Sequence, residues 1–146
     1  MNSDNLNRIA LVTGANRGIG FETAKQLCQR GFHVVVAGRN DSSGHEAVQA
    51  IKANGGTATF LLLDVSSSES TKAAARDFAK IGDRLEVLIN NAGIYPDEGL
   101  SILTIPRDQM VGTFQTNTFG PLEEMQAFLP YLKKASAPRV INVSSG

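Results

Sequence analysis

The stretch Ile9-Ala10-Leu11-Val12-Thr13-Gly14-Ala15-Asn16-Arg17-Gly18-Ile19-Gly20 decides the fold of this chain. It joins the apolar run of a buried strand to the start of a helix through three glycines. A phosphate-binding turn needs a tight bend, a closely approachable backbone and a helix whose first N–H groups point at the anion. The three glycines could supply these in order, and the Thr13 hydroxyl could tie the loop. The stretch predicts a nucleotide-phosphate site, with plain loop glycines as the alternative.

Short apolar runs recur along the rest of the chain. They lie at 8–12, 33–37, 57–63, 85–89 and 139–143, and segments with helical spacing separate them. Runs of this length read as buried strands, and their alternation with helices implies right-handed βαβ units. We therefore predict one α/β domain over residues 1–146, a Rossmann-like doubly wound parallel sheet. About five strands are expected, with helices on both faces and an incomplete C-terminal end.

Particular residues mark where the predicted helices begin and end. Gly31, the Asn-Gly-Gly segment 54–56 and Gly82 follow the first three helices, as left-handed C-terminal caps do. Ser66, with Glu69 three residues later, predicts a capping box at the start of the third helix.

The fourth crossover, residues 106–134, has a helical pattern that Pro121 interrupts. Proline has no N–H, so a helix that runs through it leaves the Asn117 carbonyl without its usual partner, facing the inside of the fold. A functional kink and a plain break between two shorter helices are equally consistent with the residues.

Composition narrows the class of protein. Fourteen basic and fourteen acidic side chains cancel, which argues against nucleic-acid or anionic-membrane partners. Cys28 is the single cysteine, so no internal disulfide is expected, and no Cys/His spacing resembles a metal site. The polar N-terminus lacks the pattern of a signal peptide, and no apolar run approaches the ~20 residues of a membrane span. We expect a cytoplasmic protein with small-molecule partners.

The end of the second predicted strand favours one cofactor over another. An acid there, about twenty residues after the loop, would hold the ribose 2′-hydroxyl of NAD. This chain has Arg39 instead, and Arg39 with Arg17 could grip a 2′-phosphate. The pair favours NADP(H) over NAD(H), with two ordinary surface arginines as the alternative. Asp64 and Val65 follow the third strand, where an adenine could lie; Asp64 as a helix cap is the competing interpretation.

Five segments in one order resemble the successive motifs of the short-chain dehydrogenase/reductase family. They are the glycine loop 13–20, Asp64-Val65, Asn90-Asn91-Ala92-Gly93, Asn117 and Val143-Ser144-Ser145. The resemblance implies hydride transfer between a nicotinamide cofactor and a carbonyl or alcohol. It also implies that the loop binds the pyrophosphate, that segment 91–93 lines the nicotinamide-ribose side, and that the Asn117 carbonyl holds a water of a proton relay.

The family's catalytic serine corresponds best to Ser145, with Ser144 as the fallback. The expected catalytic residues are therefore Asn117 and Ser145. The expected cofactor-binding residues are Thr13, Gly14, Asn16, Arg17, Gly18, Ile19, Gly20, Arg39, Asp64, Val65, Asn91, Ala92 and Gly93.

The chain departs from the family in one respect. The family completes its site with Tyr-x-x-x-Lys after the serine, whereas both tyrosines here, Tyr95 and Tyr131, precede it. We therefore expect a truncated short-chain reductase that is inactive by itself, since a positioned proton donor contributes ~10²- to 10⁴-fold in rate. The alternative is a non-catalytic nucleotide-binding or interaction module that ends at Gly146. The substrate and any homo-oligomer of the full-length form stay open.

Overall fold

The structure, a computed structural model, describes residues 8–95 and 99–144. Its strands are β1 (Ile9–Thr13), β2 (His33–Gly38), β3 (Thr57–Leu62), β4 (Val87–Asn90) and β5 (Arg139–Asn142). Its helices are α1 (Gly18–Gln29), α2 (Asp41–Ala53), α3 (Ser68–Phe78), α4 (Arg107–Phe114) and α5 (Gly120–Leu132), with a π-helical turn at Gln115–Phe119 between the last two.

The five strands form one parallel sheet in the order β3-β2-β1-β4-β5. Thr13 at the end of β1 is level with Ala37 of β2, and Val12 is level with Ile89 of β4, so the carboxyl ends meet at one edge. The predicted Rossmann-like class is confirmed. The fourth strand begins later than predicted because the N–H of Leu85 donates to the carbonyl of Tyr131 instead of joining the ladder.

Helices cover the sheet on both faces, as predicted. On one face, Phe78 of α3 and Phe128 of α5 pack edge to face in a fully buried cluster with Leu11 and Leu88. On the other face, helices α1 and α2 cover a second cluster built on the alternate strand positions. Strand β5 lies at the sheet edge and all four of its residues are exposed. Among the described residues, no helix is long and apolar enough to span a membrane.

Two of the three predicted C-terminal caps are confirmed. Gly31 and Gly55 have φ angles of +88° and +82°, in the left-handed region that glycine favours. The prediction for Gly82 is wrong, since its φ is not positive; a side chain there would instead overlap that of Ile9. Gly82 is therefore explained by close packing rather than by a cap.

The predicted capping box is also wrong. The N-cap of α3 is Ser67, whose hydroxyl accepts from the N–H of Ser70 at 3.2 Å. Ser66 instead donates its N–H and its hydroxyl to the Asp64 carboxylate, at 3.0 and 2.6 Å. Ser66 is already bonded within the turn at Asp64, so the helix starts one residue later than predicted. Glu69 lies in the first turn of the helix but does not close a capping box.

The long fourth crossover does not break into separate helices. Its backbone is helical from Arg107 to Leu132, and the π-turn widens it just before Pro121. The N–H of Gly120 reaches back five residues to the carbonyl of Gln115, a bond that only a widened turn makes. Asn117 lies within this turn and is exposed.

A carboxyl group is buried on the inner face of α5. Glu124 is 1% exposed, on the face that also carries Phe128, and neither of its oxygens has a hydrogen-bond partner among the described residues. Burial raises the pKa of Glu124 to about 8. The folded protein therefore holds a proton on Glu124 at neutral pH, because an ionised carboxylate without partners is costly in an apolar layer.

Glu124 should make stability fall as the pH rises. Its folded-state pKa of about 8 lies above the ordinary value of 4.5, so between those values the folded state holds a proton that the unfolded state releases. The stabilisation that this proton contributes is therefore largest below pH 4.5 and is lost progressively as the pH rises to about 8. We expect Glu124→Gln to flatten the dependence of the unfolding free energy on pH, measured by urea denaturation at several pH values.

Glu123→Gln is the matched control for this test. Glu123 is the preceding residue and accepts from the Ser68 hydroxyl at the surface. Its substitution should leave the slope with pH as in the wild type. Equal slopes for the wild type and Glu124→Gln would contradict the prediction.

Candidate cofactor site

The Thr13 hydroxyl joins two strands at the carboxyl edge of the sheet. Thr13 is 1% exposed at the end of β1. Its Oγ1 accepts from the N–H groups of Asn91 and Ala92, both at 3.0 Å, and donates to the carbonyl of Ile89 at 3.4 Å. One hydroxyl thus satisfies three backbone groups, one in β4 and two in the segment that follows it. It ties that segment, rather than the glycine loop itself.

Asn91 extends this join to the glycine loop. Its side-chain Nδ2 donates to the carbonyls of Thr13 and Gly14, at 3.2 and 3.3 Å. A Cβ at Gly20 would overlap both that nitrogen and the Gly14 carbonyl oxygen. Helix α1 can therefore approach the loop this closely only because residue 20 has no side chain.

The first turn of α1 is shaped for an anion. Gly18 has a φ of +59°, and a Cβ there would meet open space, so its side of the loop faces the cavity and not the protein. The N-cap residue of α1, Arg17, makes no side-chain capping hydrogen bond in the part of the chain that the structure describes. The first N–H groups of the helix are left for an outside partner such as a phosphate.

A cavity of about 520 Å³ lies against this loop. Every predicted cofactor-binding residue except Thr13 and Gly20 lines it, and those two lie beneath the loop. Ile19 presents an apolar side chain that is 71% exposed. The predicted set missed six further lining residues, which are Gly38, Asn40, Ser43, Leu63, Ile94 and Thr116.

Arg17 and Arg39 reach this cavity from two different segments. Both are exposed, and among the described residues neither takes part in an ion pair. Asp64 also lines the cavity, at the end of β3, with its carboxylate occupied by Ser66. The end of β2 carries no acid in the lining, so both cations remain available to an anionic ligand.

A second cavity adjoins the first, and residues 91–94 line both. On its far side lie Asn117, Asn142 and Ser144. The side chain of Asn117 makes two hydrogen bonds with the backbone of Ile94, accepting its N–H at 2.9 Å and donating to its carbonyl at 2.8 Å. This pair holds the π-turn against the segment after β4.

The ends of β4 and β5 are also joined at this cavity. Asn90 donates to the side-chain oxygen of Asn142 at 2.8 Å. Ser144 lies two residues beyond Asn142 and lines the cavity, while Ser145 lies outside the described residues.

The family model described as short chain dehydrogenase matches residues 8–146. Nearly the whole chain takes part in this match. Together with the sheet order and the glycine loop, it shows that the chain belongs to the short-chain dehydrogenase/reductase family.

Individual relatives agree with this. The (+)-neomenthol dehydrogenase of Arabidopsis thaliana is 35% identical, over 94% of this chain and 53% of its own length. Carbonyl reductase (NADPH) 1 of Rattus norvegicus is 37% identical, over 94% and 48%. A metagenomic short-chain oxidoreductase in complex with NADP superposes with a TM-score of 0.88 at 32% identity, over 97% of this chain and 64% of that one. The chain spans about half the length of the curated relatives it matches.

Replacing Thr13 should show how much its hydrogen bonds between β1 and the β4 region contribute to the free energy of unfolding. Thr13→Val keeps the shape but leaves two half-buried N–H groups without this acceptor, and such a loss costs about 1–3 kcal/mol. We expect the free energy of unfolding in urea to fall by that amount or more.

Thr13→Ser is the control, because it keeps the hydroxyl and loses only a methyl group. It should cost clearly less than the valine variant. A serine variant as destabilised as the valine variant would attribute the effect to packing and not to the hydrogen bonds.

Proposed function

We propose that this chain binds NADP(H) in the cavity beside the glycine loop, as the cofactor-binding part of a short-chain reductase. The observation that carries the proposal is the pair Arg17 and Arg39, which line one open cavity and have no carboxylate partner within residues 8–95 and 99–144. Structural relatives are supporting evidence, since the metagenomic oxidoreductase is described as a complex with NADP. The relative from Rattus norvegicus carries NADPH in its name.

The residues present fit such a cofactor. Gly14, Gly18 and the uncapped start of α1 suit a pyrophosphate, and the two arginines suit a 2′-phosphate. Asp64 and Val65 line the cavity where an adenine would lie, and residues 91–93 line its border with the second cavity. When bound, the cofactor would give or accept a hydride at its nicotinamide ring.

For the longer protein we propose reduction of a small carbonyl compound, or oxidation of the alcohol. Asn117 and Ser145 are the catalytic residues assigned in this chain, with Ser144 as the fallback. Ser145 would orient and polarise the substrate oxygen, and the carbonyl of Asn117 would hold a water. No tyrosine follows them among these 146 residues, and we assign none of these residues as the proton donor. The cytoplasmic location and the single domain over residues 1–146 remain predictions.

A second candidate is a nucleotide-binding module that performs no chemistry. The observation that favours it is the exposed edge strand β5, which would suit a partner. Both candidates predict binding of NADPH, and only the first predicts turnover once the chain continues.

Arg39→Ala should separate NADPH from NADH. Loss of a charged hydrogen bond costs about 1.5–3 kcal/mol, so we expect the Kd for NADPH to rise about tenfold or more. The Kd for NADH should change little, because NADH has no 2′-phosphate. Titration of the dinucleotides by calorimetry gives both constants.

Arg30→Ala is the matched control for Arg39. Arg30 is an exposed arginine at the opposite end of α1 from the glycine loop, and it does not line this cavity. Its substitution should leave both constants unchanged. A wild-type chain that binds NADPH no better than NADH would refute the cofactor assignment.

Turnover distinguishes the two candidates. We expect the 146-residue chain to oxidise NADPH with carbonyl compounds at least ~10²- to 10⁴-fold more slowly than a form that continues into Tyr-x-x-x-Lys. NADPH absorbance at saturating cofactor measures this, and the intact mass of the natural protein shows which form exists. Equal rates for both forms would contradict the assigned need for the tyrosine.

A further inference from the structure

One hydroxyl links the two segments that carry the arginines of the cavity. The side-chain Nδ2 of Asn16 donates to Ser43 Oγ at 3.2 Å, and Ser43 Oγ donates to the carbonyl of Asn40 at 3.4 Å. Asn16 precedes Arg17 and Asn40 follows Arg39, so the chain of hydrogen bonds runs from the neighbour of one arginine to the neighbour of the other.

The link has a clear mechanical effect. Helix α2 is packed against β3, where Gly44 lies directly on the ring of Phe60. Asn16 therefore anchors the glycine loop to the first turn of α2. The backbone bond from the Gly14 N–H to the Ala37 carbonyl, at 2.9 Å, fixes the two strand ends, and the link through Ser43 adds a side-chain contact between the segments that carry the exposed arginines.

We propose that Ser43 is a positioning residue for the 2′-phosphate of NADP(H), holding Arg17 and Arg39 at the spacing at which both reach one phosphate group. This inference rests on the proposed cofactor and deepens it. Paired arginines gain from a fixed geometry, because less side-chain freedom is lost when the anion binds. Ser43 therefore contributes to the choice between NADP(H) and NAD(H) without itself carrying charge.

The hydroxyl can be removed without removing the helix cap. The cap of α2 is the Ser43 N–H bonded to Asn40 Oδ1 at 2.9 Å, and alanine keeps that N–H. We expect Ser43→Ala to raise the Kd for NADPH about threefold to tenfold, the net effect of one lost hydrogen bond. The Kd for NADH should change less than about twofold, so the preference for NADPH falls.

Four further variants make the test specific. Ser43→Thr keeps the hydroxyl and should retain the preference. Ser42→Ala is the matched control, since Ser42 is the adjacent serine, bonds only to the exposed Glu46 and does not line the cavity. Asn16→Ala breaks the same link from its other end, and the double variant Asn16→Ala/Ser43→Ala should lose little more than either single one.

The outcomes separate this role from the proposed function. In the first outcome the wild type prefers NADPH, but Ser43→Ala raises the Kd for NADPH and the Kd for NADH equally, or raises neither. This outcome overturns the positioning role alone. Independent, additive effects of Asn16→Ala and Ser43→Ala also overturn it. A wild type without any preference for NADPH overturns the proposed function and the positioning role together. Should Ser43→Ala fail to fold by circular dichroism, Asn16→Ala decides by the same criterion.

Discussion

The three hydrogen bonds of the Thr13 hydroxyl are the constraint on which the rest of the site depends. They hold the segment after β4 level with the end of β1. Asn91 can then support the Gly14 carbonyl, and Gly20 can bring α1 against both. The glycine loop and the Asn-Asn-Ala-Gly segment are far apart in the sequence but form one rigid unit. A substitution in either segment should therefore also alter the geometry of the other.

The arginine that pairs with a carboxylate stabilises the fold, whereas the two arginines at the cavity are available to a ligand. Arg84 has a carboxylate partner in Glu86, whose other oxygen accepts the N–H of Ile9 at 2.6 Å, so this pair fixes the start of the sheet. Arg17 and Arg39, at the opposite end of the strands, have no such partner among the described residues. A chain with no net charge thus keeps a local positive field where an anionic ligand would bind.

The sequence was sufficient for the fold because strand and helix periods are local properties, and they predicted five strands in the right places. It failed where neighbouring residues were chemically equivalent: Ser66 and Ser67 are equally good caps, and only the competing turn of Asp64 decides between them. It also missed contacts between distant segments. Nothing near Asn16 signals Ser43, and nothing near Glu124 predicts a buried carboxyl; each depends on how two packed elements meet.

The side-chain amide of Asn117 pairs with the backbone of Ile94 through two hydrogen bonds, where a peptide group would otherwise pair. The carboxamide presents one donor and one acceptor to the backbone, as a neighbouring strand would. These hydrogen bonds therefore join the two ends of the segment between residues 94 and 117. Lengthening or rewriting such a segment costs little, because loop-closure entropy grows only slowly with length. Evolution could therefore change the length of this stretch, which contributes Tyr95 to the second cavity, while keeping the Asn117–Ile94 pair in place.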